Sequence, residues 1–397
     1  MSNKPSVDVA QLQSPSPGSS LGLESFTETA AVVIDNGTGY TKAGFAGDPK
    51  PGVVLPTVVG LPTSRKCSSP DYYAGDEVLN RRGVRRCEPV TRGVVTDWEA
   101  MEMLWHHVFY GELRASPDEH AVLLADGPLA PGAQREKAAE VLFEGFRVPA
   151  MYVVPQPVLS LYSTGRTSGL VIEAGFGASY VAPVVEGYTL PHATQQIDVA
   201  GAALTEYLAK LLAECGNAFS PEERPLVRDI KERCCYVAQD YAEEMLAPET
   251  DYLTDYRLPD GHLINIGNER FRCPEAFFQP DALGLTDAGL HQLAARSLEL
   301  CQAKHRPELL GNLVLSGGSS LFPGLAERLK WELDRLLAEP GAAAGAVRLG
   351  VFASSHRRFS VWIGGSITAC LNSFQSMWVR RADYDEEGPS VVLRKCY

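Results

Sequence analysis

Short apolar runs alternate along the chain with longer segments in which apolar residues recur every three or four positions. The short runs are typical of buried strands, and the clearest lie at 31–35, 120–126 and 312–318. The longer segments are typical of amphipathic helices, as at 96–113, 204–215 and 323–339. Regular alternation of strands and helices predicts an α/β architecture.

Two stretches far apart in the chain share one pattern. Residues 31–42 read "AVVIDNGTGYTK" and residues 169–180 read "GLVIEAGFGASY". Each has an apolar strand, an acidic residue (Asp35 or Glu173), two glycines separated by one residue, and then a hydroxyl residue. A whole motif repeated in this way predicts two similar domains, each beginning with the same hairpin.

The paired hairpins predict a phosphate site. Backbone N–H groups at tight, glycine-containing turns form a cradle for phosphate oxygens, and two such turns facing each other could enclose a polyphosphate. Lys42 supplies a positive charge, and the carboxylates of Asp35 and Glu173 offer ligands to hydrated Mg²⁺. Either hairpin alone is more often a plain turn, and it is the repetition that favours the phosphate interpretation. A third glycine pair at 317–318 lies between a predicted strand and helix, where it could receive phosphate or nucleoside.

Composition narrows the class of protein. A length of 397 residues predicts two or more domains. The formal net charge of −13 disfavours a general binder of nucleic acid or anionic membranes and favours protein partners or a small ligand. Nine cysteines without a C-x-x-C motif indicate neither a disulfide framework nor a zinc site, so we expect a reducing cytoplasm.

No apolar run is long enough to span a bilayer. Residues 1–29 are rich in Ser, Pro and Gly, and they are predicted to form a disordered N-terminal extension.

Long blocks of the sequence also resemble the actin family. They follow the family's order from about residue 30 to the last residue, and they include "DNGTGYTKAGFAGD", "VRDIKERCCYVAQDY", "LPDGHLINIGNERFRCPEAFFQP", "LSGGSSLFPGLAERL" and "YDEEGPSVVLRKCY". The resemblance implies the actin-like ATPase fold, in which two RNase-H-like α/β domains enclose ATP or ADP with Mg or Ca in a nucleotide cleft. It implies a first domain at 30–163 plus 360–397, with a small subdomain at 57–88, and a second at 164–359, with a small subdomain at 200–285.

The resemblance further implies the residues of the nucleotide site, position by position. Gln156 matches the residue that orients the attacking water. Asp35 and Glu173 match the carboxylates that hold the cation through water. The residues that match nucleotide-binding positions are Asp35, Gly37, Thr38, Gly39, Lys42, Gly175, Gly177, Gly201, Lys231, Glu232, Gly317, Gly318, Ser319 and Phe322.

The second hairpin departs from the family pattern. Where the family has D-S-G-D-G-V-T-H, this chain has E-A-G-F-G-A-S-Y at 173–180. Glu173 and Phe176 replace aspartates, and Tyr180 replaces a histidine. A phenylalanine offers no polar atom to water, and a tyrosine is a poor proton acceptor at neutral pH. We therefore expect an adenine nucleotide to bind with weak or absent hydrolysis.

Departures elsewhere bear on assembly. The loop at 63–74 is shorter than its actin counterpart and lacks that loop's methionine and valines, and Ala282 replaces a phenylalanine. Arg92 stands at the position of a modified histidine, and Gln196 replaces an arginine at the phosphate exit. Conventional filament contacts are therefore not expected.

The surface that profilin-like partners use in this family is largely kept, so partners of this kind, or other actin-like proteins, are expected. Its matching residues are Tyr162, Gly165, Thr167, Gly187, Tyr188, Leu371 and Met377. The N-terminal extension and the altered second hairpin are similar to actin-like proteins of the testis, which are associated with the sperm-head cytoskeleton.

Three classes of function stay open on the sequence. They are a structural or scaffold actin-like protein, a competent polymerising ATPase like conventional actin, and a small-molecule kinase of the same wider fold. The actin-specific blocks argue against the kinase. His106 and His107, and likewise Cys234 and Cys235, are expected to be structural, because neighbours in a helix point to different faces.

Overall fold

Two mixed sheets organise the part of the chain that the computed structural model describes, residues 29–63, 71–79, 81–338 and 349–396. Apart from Thr29, the predicted N-terminal extension lies outside the described residues, as do residues 64–70 of the predicted short loop. The strands within these ranges are β1 (Val32–Asn36), β2 (Tyr40–Phe45), β3 (Val53–Pro56), β4 (Val59–Pro62), β5 (Tyr73–Ala74), β6 (Val84–Cys87), β7 (Val90–Thr91), β8 (Val94–Val95), β9 (Val122–Asp126), β10 (Ala150–Pro155), β11 (Gly169–Ala174), β12 (Ser179–Val185), β13 (Tyr188–Thr189), β14 (Gln195–Ile197), β15 (Thr254–Arg257), β16 (Leu263–Ile266), β17 (Leu313–Ser316), β18 (Val351–Phe352) and β19 (Val379–Arg380).

Helices lie between several of these strands. The α-helices in the described ranges are α1 (Asp76–Leu79), α2 (Trp98–His106), α3 (Gly132–Glu140), α4 (Gln156–Tyr162), α5 (Gly201–Glu214), α6 (Arg224–Cys234), α7 (Tyr241–Leu246), α8 (Glu249–Tyr252), α9 (Glu269–Glu275), α10 (Leu290–Leu300), α11 (Arg306–Gly311), α12 (Leu325–Leu336), α13 (Ser360–Cys370), α14 (Arg381–Glu387) and α15 (Val391–Lys395). Short 3₁₀ turns lie at Pro117–Glu119, Pro191–Ala193, Pro221–Glu223, Pro280–Leu283, Gly318–Leu321, Arg357–Phe359 and Asn372–Phe374. Helices α2 and α3 continue into π-helical turns at His107–Leu113 and Val141–Gly145, so the helix predicted at 96–113 is present with its second half wound more widely.

The first sheet has the strand order β19-β10-β9-β1-β2-β3. Strand β1 is parallel to β9, and β9 to β10, while β1 and β2 form an antiparallel hairpin. Side chains on both faces of its central strands are buried, as Val32, Val33 and Ile34 show in β1. Continuous apolar strands of this kind are typical of a sheet covered by helices on both sides.

The second sheet repeats the plan of the first. Its order is β13-β12-β11-β17-β18, with β14 paired to β12. Strands β11 and β12 form the hairpin, and β11 is parallel to β17, as β1 is to β9. The sequence repeat is therefore a repeat of topology, and the predicted α/β class is confirmed.

The buried apolar residues form two large cores: one contains buried residues from the strands of the first sheet and also takes Val171, Val184 and Val314 from the second sheet, and the other contains most of the remaining buried apolar residues of the second sheet. We call the elements packed on the first sheet the first lobe and those packed on the second sheet the second lobe. The strands of each sheet fall within one of the two domains predicted from the sequence, whose limits stay a prediction. None of the helices in the described ranges combines the length and apolar content that crossing a bilayer requires.

Helix α4 lies where the two lobes meet. It contacts strands of both sheets and packs against α13, which itself lies on β1 and β9. Its first residue, Gln156, is buried at the end of β10. The helix therefore carries a polar side chain to the point where the two hairpins approach each other.

Candidate functional site

The first hairpin carries an ion pair. In the register of β1 and β2, Asp35 lies opposite Lys42, and Nζ of Lys42 is 2.9 Å from Oδ2 of Asp35. Nε2 of Gln156 donates to the other carboxylate oxygen, Oδ1, over 3.0 Å. Asp35 is 2% exposed, so a buried carboxylate here is satisfied by one cation and one amide.

The second hairpin carries the equivalent carboxylate without a cation. In the register of β11 and β12, Glu173 lies opposite Tyr180, not opposite a lysine. Oε2 of Glu173 is buried and has no hydrogen-bond partner. Burial raises the pKa of Glu173 to about 8, the negative charge of Asp35 adds to the rise, and Lys42 partly opposes it. Asp35 and Glu173 therefore share one lysine, Lys42.

The tips of the two hairpins pack into each other reciprocally. A methyl group added at Gly39 would lie 2.6 Å from Cγ of Phe176, and one added at Gly177 would lie 2.7 Å from Cγ2 of Thr38. The tip residue of each hairpin therefore covers the second glycine of the other. The guanidinium carbon of Arg228, from α6, lies 4.8 Å from the centre of the Phe176 ring, within cation–π distance.

Tyr180 is engaged as a hydrogen-bond donor. Its hydroxyl donates to the backbone oxygen of Arg92 over 2.8 Å. Burial raises the pKa of Tyr180 to about 12, and the negative charges of Glu173 and Asp198 add to the rise. The phenol is consequently protonated throughout the physiological pH range and cannot accept a proton there.

A third turn, after β17, completes the cleft. Gly317 has φ 86°, and a Cβ at this position would lie 2.2 Å from the backbone oxygen of Ala174, so glycine is required on both counts. The neighbouring Ser319 donates from Oγ to the backbone oxygen of Gly175 over 2.7 Å. The turn is thereby fastened to the second hairpin.

A buried lysine of α6, Lys231, also lines the cleft. Nζ of Lys231 donates to the backbone oxygen of Gly201 over 2.6 Å and to Oγ1 of Thr205 over 2.8 Å. Burial lowers the pKa of Lys231. Because both partners are neutral, its charge remains available to an anion in the cleft.

One cavity of about 340 Å³ joins these groups. The residues predicted for the site all line it: Asp35, Gly37, Thr38, Gly39, Lys42, Gln156, Glu173, Gly175, Phe176, Gly177, Tyr180, Gly201, Lys231, Glu232, Gly317, Gly318, Ser319 and Phe322. The structure brings them together, and their roles toward a ligand stay predictions.

Other lining residues were missed from the sequence, among them Tyr40, Gly93, Arg228 and Arg358. Tyr40 follows the first glycine pair directly, so its place in the motif was a usable signal. Arg228 lies one helical turn before Lys231, on the same face of α6, which was a second signal. Gly93 and Arg358 had no local signal, because tertiary packing brings them to the cavity.

The expectations of purely structural roles elsewhere can be compared with the contacts. His106 Nδ1 lies 2.8 Å from the Tyr72 hydroxyl, and His107 Nε2 lies 3.2 Å from Glu112. Cys235 is buried in the second core, and Cys234 packs beside it. Among the residues described, no group of three or more His, Cys, Asp or Glu side chains is arranged to hold a metal ion.

The cavity fits a phosphate chain and a cation. Glycine turns from three elements leave backbone close to the open space, which is what phosphate recognition by N–H groups needs. The unpartnered buried oxygen of Glu173 is a group that a cation would satisfy. Asp35 and Glu173 are two carboxylates only, so phosphate and water oxygens would have to complete an octahedral shell.

The family comparison agrees with this architecture. The family model described as Actin matches residues 26–397. Proteins of this family generally bind an adenine nucleotide with a divalent cation, and they are cytoskeletal in general character. With a match over nearly the whole length, repeated hairpins on two sheets and a glycine-lined cavity between them, the chain belongs to the actin family and has the actin-like ATPase fold.

Proposed function

We propose that this protein binds ATP or ADP with Mg²⁺ or Ca²⁺ in the cavity between its lobes, hydrolyses the nucleotide weakly or not at all, and acts as a subunit or scaffold of a cytoskeletal assembly. The observation that carries the proposal is the second hairpin. Its glycines line the cavity, while Phe176 and Tyr180, which also line it, stand at positions where the family has an aspartate and a histidine.

Binding would use groups already in place. The three glycine turns would meet the phosphates, Lys42 and Lys231 would supply positive charge, and Glu232 and Phe322 lie on the cavity wall where a nucleoside could rest. When bound, the divalent cation neutralises phosphate charge. Asp35 and Glu173 would hold it through water.

Hydrolysis would lack a proton acceptor. Gln156 donates its amide to Asp35, which orients it, but an amide cannot take a proton from water. The Tyr180 hydroxyl donates a hydrogen bond to the backbone oxygen of Arg92, and burial raises its pKa, so the phenol stays protonated. The ring of Phe176 covers Gly39 and offers water no polar atom. Loss of a positioned proton-transfer group costs about 10² to 10⁴ in rate.

Nucleotide binding can be tested by acid denaturation of the purified protein and chromatography of the supernatant. We expect an adenine nucleotide at close to one per chain when Mg²⁺ or Ca²⁺ is present. No nucleotide at any cation concentration would refute binding and would mean that Phe176 and Glu173 have closed the site.

Hydrolysis can be tested by single-turnover measurements on the parent and on the triple variant Glu173→Asp, Phe176→Asp, Tyr180→His. The variant should hydrolyse bound ATP about 10² to 10⁴ times faster than the parent. A parent rate equal to that of conventional actin would favour the alternative function, a competent polymerising ATPase.

We further propose that the pure protein does not form long filaments. Ala282 is exposed on a 3₁₀ turn and presents one methyl group where the family presents an aromatic ring, and the loop at 63–74 is short. Losing a few hundred Å² of apolar contact removes several kcal/mol, at about 25 cal/mol per Å², from each subunit contact. Filaments that pellet from micromolar pure protein would contradict this.

The proposed partner surface and setting follow the resemblance. Tyr188 and Leu371, on the profilin-like surface, are 52% and 46% exposed, so they are available to a profilin-like protein. Calorimetry with profilin, on the parent and on Leu371→Asp, would test this surface. The proposed setting is the cytoplasm and cytoskeleton of male germ cells, with the sperm head as the site. Immunolocalisation in testis sections that showed no germ-cell signal would contradict it.

A further inference from the structure

The two lobes are joined across the cavity by side chains of the protein itself. The turn between β7 and β8 belongs to the first lobe and reaches the second at two points. The Tyr180 hydroxyl donates to the backbone oxygen of Arg92, and the Arg92 guanidinium lies 2.9 Å from Oδ2 of Asp198. The N–H of Gly93 donates over 3.0 Å to Oγ1 of Thr38 at the tip of the first hairpin. We call Thr38, Arg92, Gly93, Tyr180 and Asp198 the cross-cleft brace.

The backbone of the brace is strained at its centre. Arg92 has φ 49°, in the left-handed region that an L-residue with a long side chain rarely occupies. Its neighbour Gly93, at φ 76°, has the residue type suited to that region, whereas Arg92 does not. Strain of this kind persists where surrounding contacts hold it, and here the contacts lie on both lobes.

A second set of side chains crosses the cleft on the other side of the hairpins. Arg228 of the second lobe donates from Nη1 to the Tyr40 hydroxyl of the first lobe over 3.1 Å. Its guanidinium also lies over the ring of Phe176, which covers Gly39. Both crossings are therefore direct contacts between protein groups, and neither uses a phosphate or a cation.

We propose that Arg92 and Tyr180 are positioning residues that hold the cleft closed whether or not a ligand is bound, and that they thereby slow nucleotide exchange. The second part rests on the proposed function, because it takes the cavity as the nucleotide site. The first part does not, since the brace contacts join groups of the protein to one another. Tyr180 replaces the family's histidine, and its hydroxyl forms a hydrogen bond between the two lobes.

The test compares Tyr180→Phe with a matched control, Tyr152→Phe. Tyr152 is equally buried, at 5% exposed against 7% for Tyr180, and its hydroxyl donates over 2.9 Å to the backbone oxygen of Lys395. That bond lies within the first lobe, so both variants lose one phenol-to-carbonyl hydrogen bond but only Tyr180→Phe loses a contact between lobes. Asp198→Asn serves as a second variant at a more exposed position, with Asp334→Asn, from the Lys330–Asp334 pair on α12, as its control.

Two quantities are measured on the full chain. The first is the radius of gyration by small-angle scattering after removal of nucleotide and cations with EDTA and gel filtration. The second is the rate at which a bound fluorescent ATP analogue is displaced by excess ATP. We expect the nucleotide-free parent and Tyr152→Phe to stay compact, and Tyr180→Phe to expand. Displacement should be about tenfold faster in Tyr180→Phe, equivalent to about 1.4 kcal/mol, and unchanged in Tyr152→Phe.

The outcomes separate the two ideas. If the analogue does not bind at all, the proposed function fails and the scattering of parent against variant still decides the brace. If the parent expands on nucleotide removal as much as Tyr180→Phe does, or if the two tyrosine variants behave alike, the brace is refuted. If Tyr180→Phe does not fold, the same comparison is made between Asp198→Asn and Asp334→Asn, where a smaller change in the same direction is expected because the ion pair is exposed.

Discussion

The two hairpins of this protein share a backbone plan and differ in the side chain opposite the carboxylate. In the first, Asp35 faces Lys42 and the charge is paired. In the second, Glu173 faces Tyr180, and one carboxylate oxygen is buried without a partner. The first hairpin is therefore electrostatically complete, whereas the second depends on a neighbouring lysine, a proton or a ligand.

The two copies of the repeat have the same backbone shape but carry side chains of different chemistry. Both hairpins keep the glycines that bring backbone close to the cavity. At the tips, Thr38 keeps a hydroxyl bonded to Gly93, while its counterpart Phe176 has only an apolar ring. The second hairpin has thus kept the form of a phosphate turn and replaced the polar groups that would act on water. Substitutions in both hairpins test this contrast.

Replacing Lys42 with methionine should have the largest effect on stability. It leaves Asp35 and Glu173 facing each other without their shared cation, and breaking a buried ion pair costs about 3 to 5 kcal/mol. Urea denaturation in EDTA measures the loss. The control is Lys330→Met, whose partner Asp334 is on the surface, and its cost should be under about 1 kcal/mol. Equal losses would show that the first hairpin gains nothing from its ion pair.

Replacing Glu173 with glutamine should remove a pH dependence. Because the pKa of Glu173 is raised to about 8, the folded protein binds this proton more tightly than the unfolded chain does. Stability is therefore highest below the usual glutamate pKa and falls as pH rises toward 8. At pH 9 and without cations, Glu173→Gln should be more stable than the parent by up to about 5 kcal/mol, and at pH 5 the difference should fall to about 1 kcal/mol.

The measurement is urea denaturation of parent and Glu173→Gln at several pH values between 5 and 9. The difference in free energy of unfolding between the two proteins removes the contributions of the other titrating groups, because both proteins contain them. A difference that did not change with pH would mean that Glu173 is paired as well as Asp35 is, and the contrast between the hairpins would fail.

The reciprocal packing of the tips predicts a coupling between two substitutions. Gly39→Ala places a methyl group against the Phe176 ring and should cost about 2 kcal/mol, as overpacking does. A Phe176→Gly background removes both Cγ and the Cβ atom that would lie 2.8 Å from the added methyl group, so there the same change should cost almost nothing, and a double-mutant cycle measures the coupling. Gly177→Ala is the control, because its methyl group would meet Thr38 and Phe176→Gly should not relieve it.

The smallest effect is expected at Thr38. Thr38→Val keeps the shape of the tip and removes the acceptor for the Gly93 N–H, which should cost about 1 kcal/mol. Thr63→Val is the control, since the Thr63 hydroxyl is exposed and its loss should stay within about 0.5 kcal/mol. Thermal unfolding of the two variants under one condition is enough. A larger effect at Thr63 would argue against any special role of the first tip.

Much of the fold and of the candidate site could be predicted from the sequence. The repeat at 31–42 and 169–180 predicted two equivalent hairpins, and both are present with equivalent registers. The residues matched to the family site meet in one cavity. The prediction for Tyr180 was incomplete: a weak proton acceptor was expected, and a donor committed to Arg92 was found. The hydrogen-bond partner of Tyr180 lies in a turn far away in the sequence, and a local sequence pattern does not reveal such a partner.

The strands, the glycine turns and the family follow from the sequence, because hydrophobic period, turn chemistry and motif order are local properties of the chain. How the charges are shared depends on the tertiary structure. Glu173 has a raised pKa because folding buries it and because Asp35 arrives from the other lobe, while Lys42 only partly opposes the rise. Arg92 and Asp198 are distant in sequence, and Arg228 and Tyr40, which form a hydrogen bond between the lobes, are 188 positions apart. Electrostatic and packing interactions between residues that are far apart in sequence form only when folding brings those residues together.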